Sequence, residues 1–186
     1  MEKLGSSRLA AFLKALPWGG LALGLALGIS AMIGLDVAMR YTSTNEFCAY
    51  CHQDNAVKEW RESPHYDNPK AVTVDCARCH IPSGFFPKVV TKVRALGDAW
   101  AFMQGEIDTP EKYEARRLHM ARKAWARMEA SDSRECKQCH RLADIDNPEK
   151  PFVKTEHLKP KNQGKACIKC HKGVAHWAPE EPETAQ

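Results

Sequence analysis

Every cysteine in this chain lies in one repeated arrangement: two thiols three positions apart with a histidine directly after the second. The four copies are Cys48-Ala49-Tyr50-Cys51-His52, Cys76-Ala77-Arg78-Cys79-His80, Cys136-Lys137-Gln138-Cys139-His140 and Cys167-Ile168-Lys169-Cys170-His171. Cys-X-X-Cys-His is the attachment signature of c-type haem. The two thiols form thioethers with the haem vinyl groups, and the adjacent imidazole reaches the iron as an axial ligand. Clustered cysteines also build zinc sites and disulfide frameworks. Neither of those needs a histidine after every second cysteine. The sequence therefore predicts four covalently bound haem c groups. Their thiols are Cys48 and Cys51, Cys76 and Cys79, Cys136 and Cys139, and Cys167 and Cys170. Their motif ligands are His52, His80, His140 and His171.

An electron-transfer haem usually takes a second strong ligand, which closes the iron to substrate. Four histidines lie outside the motifs: His65, His119, His157 and His176. A lone histidine is more often a surface or core residue than a ligand. Here four irons need partners and few other ligands exist. His65, His157 and His176 are expected to be distal metal ligands, and His119, on a central helix, is a further candidate. Free methionines could also serve, but several sit on apolar helical faces.

The elements that must hold these residues read as mostly α, with strand signals nearly absent. Motifs one and two start 28 residues apart, and motifs three and four 31 apart, with one extra histidine in each gap. This weak internal repeat suggests two dihaem halves joined by a longer central segment. That segment reads as two helices. In the first, Pro87 to Met103, residues Val89, Val93, Leu96, Trp100 and Met103 share one face. Gly105 to Asp108 breaks it. Thr109-Pro110-Glu111 then starts a second helix, with a hydroxyl cap, proline at the first position and an acid in the first turn. That helix is expected to run to about Ala130, with Tyr113, Ala121, Trp125 and Met128 on its buried face. Four haems would supply much of the core of so small a domain.

Leu16 to Leu35 is twenty residues without a charge, long enough to cross a hydrocarbon core as a helix. Pro17 suits its first turn, and Trp18 and Tyr41 stand where interfacial aromatics are expected. Lys3, Arg8 and Lys14 precede the span against Glu2 alone, so the N-terminus is expected in the cytoplasm and the chain after Arg40 outside. Haem attachment to this motif also takes place outside the cytoplasmic membrane of bacteria, which gives the same orientation independently. A cleaved signal peptide would be shorter in its apolar part and followed by a small-x-small site. Asp36-Val37-Ala38-Met39-Arg40 offers no good one. Gly20, Gly24 and Gly28 repeat at four-residue spacing, which would let another helix approach closely and points to a homo-oligomer through the anchor. The expected division is 1–40 for the cytoplasmic N-terminus and transmembrane anchor, 41–177 for a periplasmic tetrahaem domain, and 178–186 for an acidic, proline-bearing disordered tail.

The chain has 186 residues and a formal net charge of +4. That charge overstates its basicity, because each haem adds two propionates. No basic stripe with interleaved aromatics is present, so nucleic acid is not an expected partner. With all eight cysteines consumed by haem, no disulfide remains to be formed.

Beyond the motifs, almost the whole chain resembles the NapC/NirT family of membrane-anchored tetrahaem quinol dehydrogenases. The short basic N-terminus, single anchor and motif spacing of 28, 60 and 31 carry the resemblance. So do the stretches Ile107-Asp108-Thr109-Pro110-Glu111-Lys112-Tyr113-Glu114, Trp125-Ala126-Arg127-Met128 and Cys170-His171-Lys172-Gly173-Val174-Ala175-His176. The resemblance implies that membrane quinol is oxidised to quinone near the first haem, close to the anchor. Electrons then pass to a soluble periplasmic reductase of the nitrate or nitrite class in anaerobic respiration, at the bacterial inner membrane. In related proteins the first haem is high-spin, with a carboxylate near its distal side and a pocket lysine from the segment after the second motif. The matching residues here are Asp98 and Lys92, with Lys88 one turn earlier. Such a carboxylate can accept a proton from quinol, and the lysine can hydrogen-bond the quinol oxygen. Without the resemblance, Lys88, Lys92, Arg94 and Asp98 would read as a solvated helix face. By the same analogy His176 serves the second haem, His65 the third and His157 the fourth.

Two departures stand out. Some members carry a methionine two residues after the first motif histidine, and it replaces that histidine on iron. Asp54 stands there in this chain, so His52 is the expected proximal ligand, with Asp54 an alternative near the iron. Many members carry a histidine at the position of Ser83. His119 is then a candidate to compensate for it, or to lie near the quinol pocket. The competing readings are an anchored haem wire without its own quinone site, and a catalytic multihaem enzyme converting nitrite or hydroxylamine. The latter needs an open haem ringed by catalytic side chains, and the sequence shows no such cluster beyond the quinol pocket. Mass spectrometry of the purified protein should show four haem additions and no free thiol; three or fewer in a fully matured sample would mean that not every motif is used.

Overall fold

In a computed structural model of the chain, the described residues are 17–52, 55–141 and 150–181. Leu16, Lys3, Arg8, Lys14, Glu2, Asp54 and positions 182–186 lie outside them. The chain divides into two compact units, Met1–Thr42 and Ser43–Gln186. All described regular structure is helical.

Among its described residues the first unit holds one helix, α1, Trp18–Tyr41. Its 24 residues have a mean hydropathy of 2.0 over the most apolar window, and none is buried by protein. At 1.5 Å per residue they span on the order of 36 Å, enough for a hydrocarbon core of about 30 Å. Pro17 stands at the cap position rather than in the first turn, its carbonyl accepting from the Leu21 N–H at 3.0 Å. The charges wait until the far end, where Arg40 pairs with Asp36 at 2.7 Å. The Thr42 hydroxyl closes the helix by donating to the Ala38 carbonyl at 2.8 Å.

The second unit is a set of short helices around two long ones. The first motif lies on α2, Asn45–His52, which is followed by α3, Ala56–Arg61. The second motif forms α4, Cys76–His80. The central segment is α5, Phe85–Met103, and α6, Pro110–Ala130. The third motif begins in α7, Arg134–Lys137. Beyond it come α8, Phe152–Leu158, and a 3-10 turn, Cys167–Lys169, that opens the fourth motif.

The local chemistry explains these boundaries. Gly84, at φ +101, precedes α5 in a conformation that L side chains avoid. Gly105, at φ +70, ends the segment after α5, and a Cβ there would meet Asp108 Oδ2 at 3.0 Å. Lys112 Nζ donates to both the Gly105 carbonyl and Asp108 at 2.7 Å, which fixes the turn between the long helices. The Thr109 hydroxyl accepts from the Lys112 N–H, and Pro110 fills the first helical position. α6 ends in a left-handed turn at Asp132 and Ser133.

Packing within the second unit is unusual. Among the described residues only Val57, Trp60, Ala166 and Ile168 are buried hydrophobics. The expected inner residues of α6, Tyr113, Ala121, Trp125 and Met128, are half-buried. On α5, Val93, Leu96, Trp100 and Met103 share a stripe but remain 60–68% exposed. Helical periodicity is present there, yet protein side chains do not cover the apolar face.

Protein isolated from membranes should retain α1. N-terminal sequencing tests this, and a mature chain starting near Arg40 would show that the helix is a cleaved leader.

Candidate haem sites

Helical geometry explains the motif spacing. Residues i, i+3 and i+4 lie on one side of a helical turn, so both thiols and the imidazole can face the same group. α2 and α4 carry their motifs in this way. In the third and fourth motifs the histidine N–H donates to the carbonyl of the first cysteine, His140 to Cys136 at 3.0 Å and His171 to Cys167 at 2.9 Å. Each motif is thus close to one helical turn.

The motifs adjoin one another in sequence order. The Asn45 side chain joins the first two, donating to Asp75 at 2.8 Å and accepting from the Cys76 N–H at 3.0 Å. The Cys76 thiol donates to Cys48; this bond, aided by the charge of Lys92, holds the Cys48 thiol down at about 7 against burial. The same bond and burial push Cys76 up. Cys79 lies close enough to Cys136 and Cys139 for their charges to interact, as does Cys136 to Cys167. α4 also packs against α7. Ser133, fully buried, accepts from the Ile168 N–H at 3.2 Å and ties the third motif to the fourth.

Three of the four motif imidazoles face an imidazole from elsewhere in the chain. His65 lies beside His140, with ring centroids 6.1 Å apart, and His176 beside His80 at 6.0 Å. His157 stacks on His171 at 5.6 Å, with their Nε2 atoms 3.4 Å apart. Two of these pairings run between the two halves of the sequence. The second nitrogen of two of the outer histidines is also directed. His65 Nδ1 meets the Val174 carbonyl at 3.1 Å, and His157 Nδ1 the Val153 carbonyl at 2.7 Å. A histidine that donates through Nδ1 presents Nε2 as a lone pair, the arrangement that orients metal ligands. His176 Nδ1 is buried without a hydrogen bond and lies 3.9 Å from Glu59 Oε2. Burial, and after it the positive charges of His176, Arg127 and His52, lowers His80 to about 4 although part of its surface is open. Neutral imidazole is the ligating form.

The donor set therefore fits haem: paired thiols on one helical turn, with a second imidazole opposite three of the four motifs. It fits a bare metal ion poorly, since no group of three or more His, Cys, Asp or Glu is arranged to hold one among the described residues. All eight cysteines are unbridged.

His52 differs from the other motif histidines. Burial lowers it, and the nearby Asp98 carboxylate opposes that lowering. Asp98 also receives a hydrogen bond from Lys123 Nζ at 2.9 Å, with both side chains about half exposed. Lys92 is near Cys48, and burial lowers its ammonium. The structure thus brings both Lys92 and Asp98 to the first motif. A cavity of about 140 Å³ adjoins the first motif, lined by Tyr50, His52, Phe102 and Tyr113 among others. Lys88 lies one turn before Lys92 on α5. His119 is exposed on α6 and stands in none of the imidazole pairs.

Sequence reading did not single out Glu59 and Arg117. The Glu59 side chain is 2% exposed. It accepts from Arg117 Nη1 at 3.0 Å, Arg117 Nη2 at 2.5 Å and the Trp177 N–H at 2.9 Å. Arg117 also reaches Glu114 at 2.5 Å and the Trp177 carbonyl at 3.2 Å, and its carboxylate partners, Glu114 and Glu59, raise its pKa. The cluster joins α3, α6 and the segment bearing His176. Only the Glu114–Arg117 pair, three apart on one helix, has a sequence signal.

The model of the NapC/NirT cytochrome c family, N-terminal region, matches residues 14–181. The chain is 46% identical over 169 residues to a protein of Allochromatium vinosum named as a tetraheme cytochrome c type, covering 89% of this chain and 92% of that one. It is 42% identical over 165 residues to the denitrification system component NirT of Stutzerimonas stutzeri, covering 87% and 82%. It is 40% identical over 154 residues to the cytochrome c-type protein NapC of Haemophilus influenzae, covering 82% and 77%. No solved structure matches it.

Replacing Glu59 with glutamine should destabilise the second unit by about 3 kcal/mol, because Arg117 loses a buried partner. If His176 serves a haem, as the resemblance implies, the same change should alter the low-spin signal of that haem. Thermal unfolding and electron paramagnetic resonance measure the two effects, and Lys58→Gln next door should produce neither.

Proposed function

This chain belongs to the NapC/NirT cytochrome c family, and from that premise we propose that it is a tetrahaem quinol dehydrogenase of the bacterial inner membrane. Family membership makes it a membrane-anchored c-type cytochrome that carries haem c in electron transfer. The proposal goes further in four respects. All four motifs carry haem, the first lies at a quinol site, the haem domain 41–177 is periplasmic, and electrons leave to a nitrate- or nitrite-class reductase. The relatives named NapC and NirT, the latter a denitrification component, support that choice of acceptor. The anchor, N-terminus inward, keeps the domain at the quinol pool, and Gly20, Gly24 and Gly28 offer it a contact with a second copy.

The observation that carries the reading is the odd position of His52. His80, His140 and His171 each face a second imidazole, whereas among the described residues His52 stands in no such pair and lies within reach of the Asp98 charge. Haem, when bound, supplies an iron that takes up and gives back one electron. His176, His65 and His157 complete the second, third and fourth sites, and His52 holds the first from one side. Lys92 binds the oxygen of quinol. As quinol gives up two electrons, one at a time, to the haem row and becomes quinone, one of the two protons released leaves to water and Asp98 takes the other. Its pairing with Lys123 does not prevent this, since a half-exposed ion pair is worth only about 0–1 kcal/mol. The motifs succeed one another without a gap, so the two dihaem halves form one row.

Lys92→Ala removes a charged hydrogen-bond donor but no haem ligand. A bond of that kind contributes about 1.5–3 kcal/mol, so quinol oxidation should fall roughly ten- to a hundredfold. The four haems should stay attached and reducible by dithionite. Wild-type quinol oxidation by this variant would move the reading to an anchored wire fed by another protein.

A further inference from the structure

Two stretches carry the excess positive charge of this protein: Lys112–Arg127 on α6, with six cations against Glu114, and a segment whose cations are all lysine. Between Lys150 and Lys172 there are seven lysines and a single carboxylate, Glu156. The rest of the chain sets its other 20 cations against 22 carboxylates, from totals of 27 and 23. Without this segment the protein would be slightly acidic.

The segment is also the cradle of the fourth motif. It holds Cys167, Cys170 and the stacked pair His157 and His171. It is folded on itself: Asn162 Nδ2 donates to the Glu156 carbonyl at 2.9 Å, Gln163 to the Leu158 carbonyl at 2.8 Å, and Lys165 to Asn162 at 3.4 Å. Cys170 and His171 are exposed, as are Lys154, Lys161, Lys165, Lys169 and Lys172. Lys159 pairs with Glu156, Lys169 with Glu129 at 2.7 Å, and Lys172 with Glu181 at 2.5 Å. Exposed pairs of this kind add little to stability, so packing does not account for the excess of lysine. The fourth motif is also the far end of the row, adjoining the third through Cys136 and Ser133.

We propose that the lysine-rich surface around the fourth motif is the docking face for the electron acceptor, and that the acceptor presents an acidic patch around its own redox centre. This rests on the reading of the chain as a haem row that begins at Lys92 and Asp98. Complementary charge speeds encounter and sets orientation more than it adds affinity. It brings the exposed edge of the last site to the partner, which takes one electron per encounter and leaves the chain one electron more oxidised. Steering of this kind is strong at low salt and fades as the screening length falls from about 10 Å at 0.1 M to about 3 Å at 1 M.

The test compares the full-length, detergent-solubilised protein with two triple variants. One is Lys154→Glu, Lys161→Glu, Lys165→Glu; the other, a control elsewhere, is Arg61→Glu, Lys70→Glu, Arg122→Glu. Each is reduced with dithionite, freed of excess reductant, and mixed in stopped flow with an acidic one-electron oxidant, plastocyanin, or a basic one, mitochondrial-type cytochrome c. The lysine variant should react about tenfold or more slowly with plastocyanin at low ionic strength, and faster with cytochrome c. The difference should vanish near 1 M salt, and the control variant should stay close to wild type. Equal slowing by both triple variants would mean that only net charge matters and would overturn the proposal. So would a lysine-variant effect seen only in nanodiscs containing phosphatidylglycerol, because those lysines would then face lipid. Normal quinol oxidation with no charge effect overturns the docking face and leaves the proposed function standing. Loss of the fourth haem's bis-histidine signal in wild-type protein overturns both.

Discussion

A carboxylate buried almost completely, Glu59, fixes the arrangement of the haem-bearing unit. An unpaired charge in that position would cost several kcal/mol. Glu59 avoids the penalty by accepting from both ends of the Arg117 fork and from the Trp177 backbone. Three remote stretches of chain are thereby held at one point: α3 after the first motif, the long helix α6, and the strand-free segment after the fourth motif. The hydrophobic effect does much less here than in an ordinary domain of this size. Among the described residues, three buried apolar side chains, Val57, Trp60 and Ile168, contribute about 1.5–3 kcal/mol each and Ala166 less, while ordering each residue costs about 1–2 kcal/mol of backbone entropy. Directed polar contacts and the bound cofactor must supply the remainder. Asn45 and Ser133 act in the same way as Glu59, each satisfying backbone N–H groups across a junction between motifs.

What could be read from the sequence was what depends on local spacing. The motif residues, the twenty-residue apolar run and the Thr109-Pro110 helix start all carry their meaning within a few positions, and α6 begins and ends where the caps place it. α5 begins two residues before Pro87 because Gly84, not the proline, supplies the turn into it. Periodicity identified the apolar stripe of α5 but not its surroundings, since a helical wheel records one face and says nothing of what covers it. Glu59 and Trp177 were illegible for a further reason. A buried charge is recognised by its partner, and these partners lie more than a hundred positions apart in the chain. The resemblance alone implied which motif each of His65, His157 and His176 would serve, because no spacing rule joins His176 to His80.

The four motifs form a row by sequence order, but the imidazoles are exchanged across it. His65 comes from before the second motif and stands at the third; His176 comes from after the fourth and stands at the second. Each exchange makes a local site depend on distant chain, so neither half of the sequence is complete without the other. The first motif takes no part in the exchange, and the Asp98 charge and Lys92 lie near it instead. The difference between the first motif and the other three thus follows from where three histidines fall.

The exchanged imidazoles also set a timetable. On the proposed ligation the chain reaches the outer side of the membrane from its anchor onward, so the motifs arrive in numerical order. Completion follows a different order. His65 is already outside when His140 emerges, and the third site closes at once. His157 precedes His171, so the fourth closes next. The second site, whose thiols arrive early, waits for His176, which follows the fourth motif. On that ligation the second haem would be held by one histidine alone until His176 is exported, and that step would finish the row.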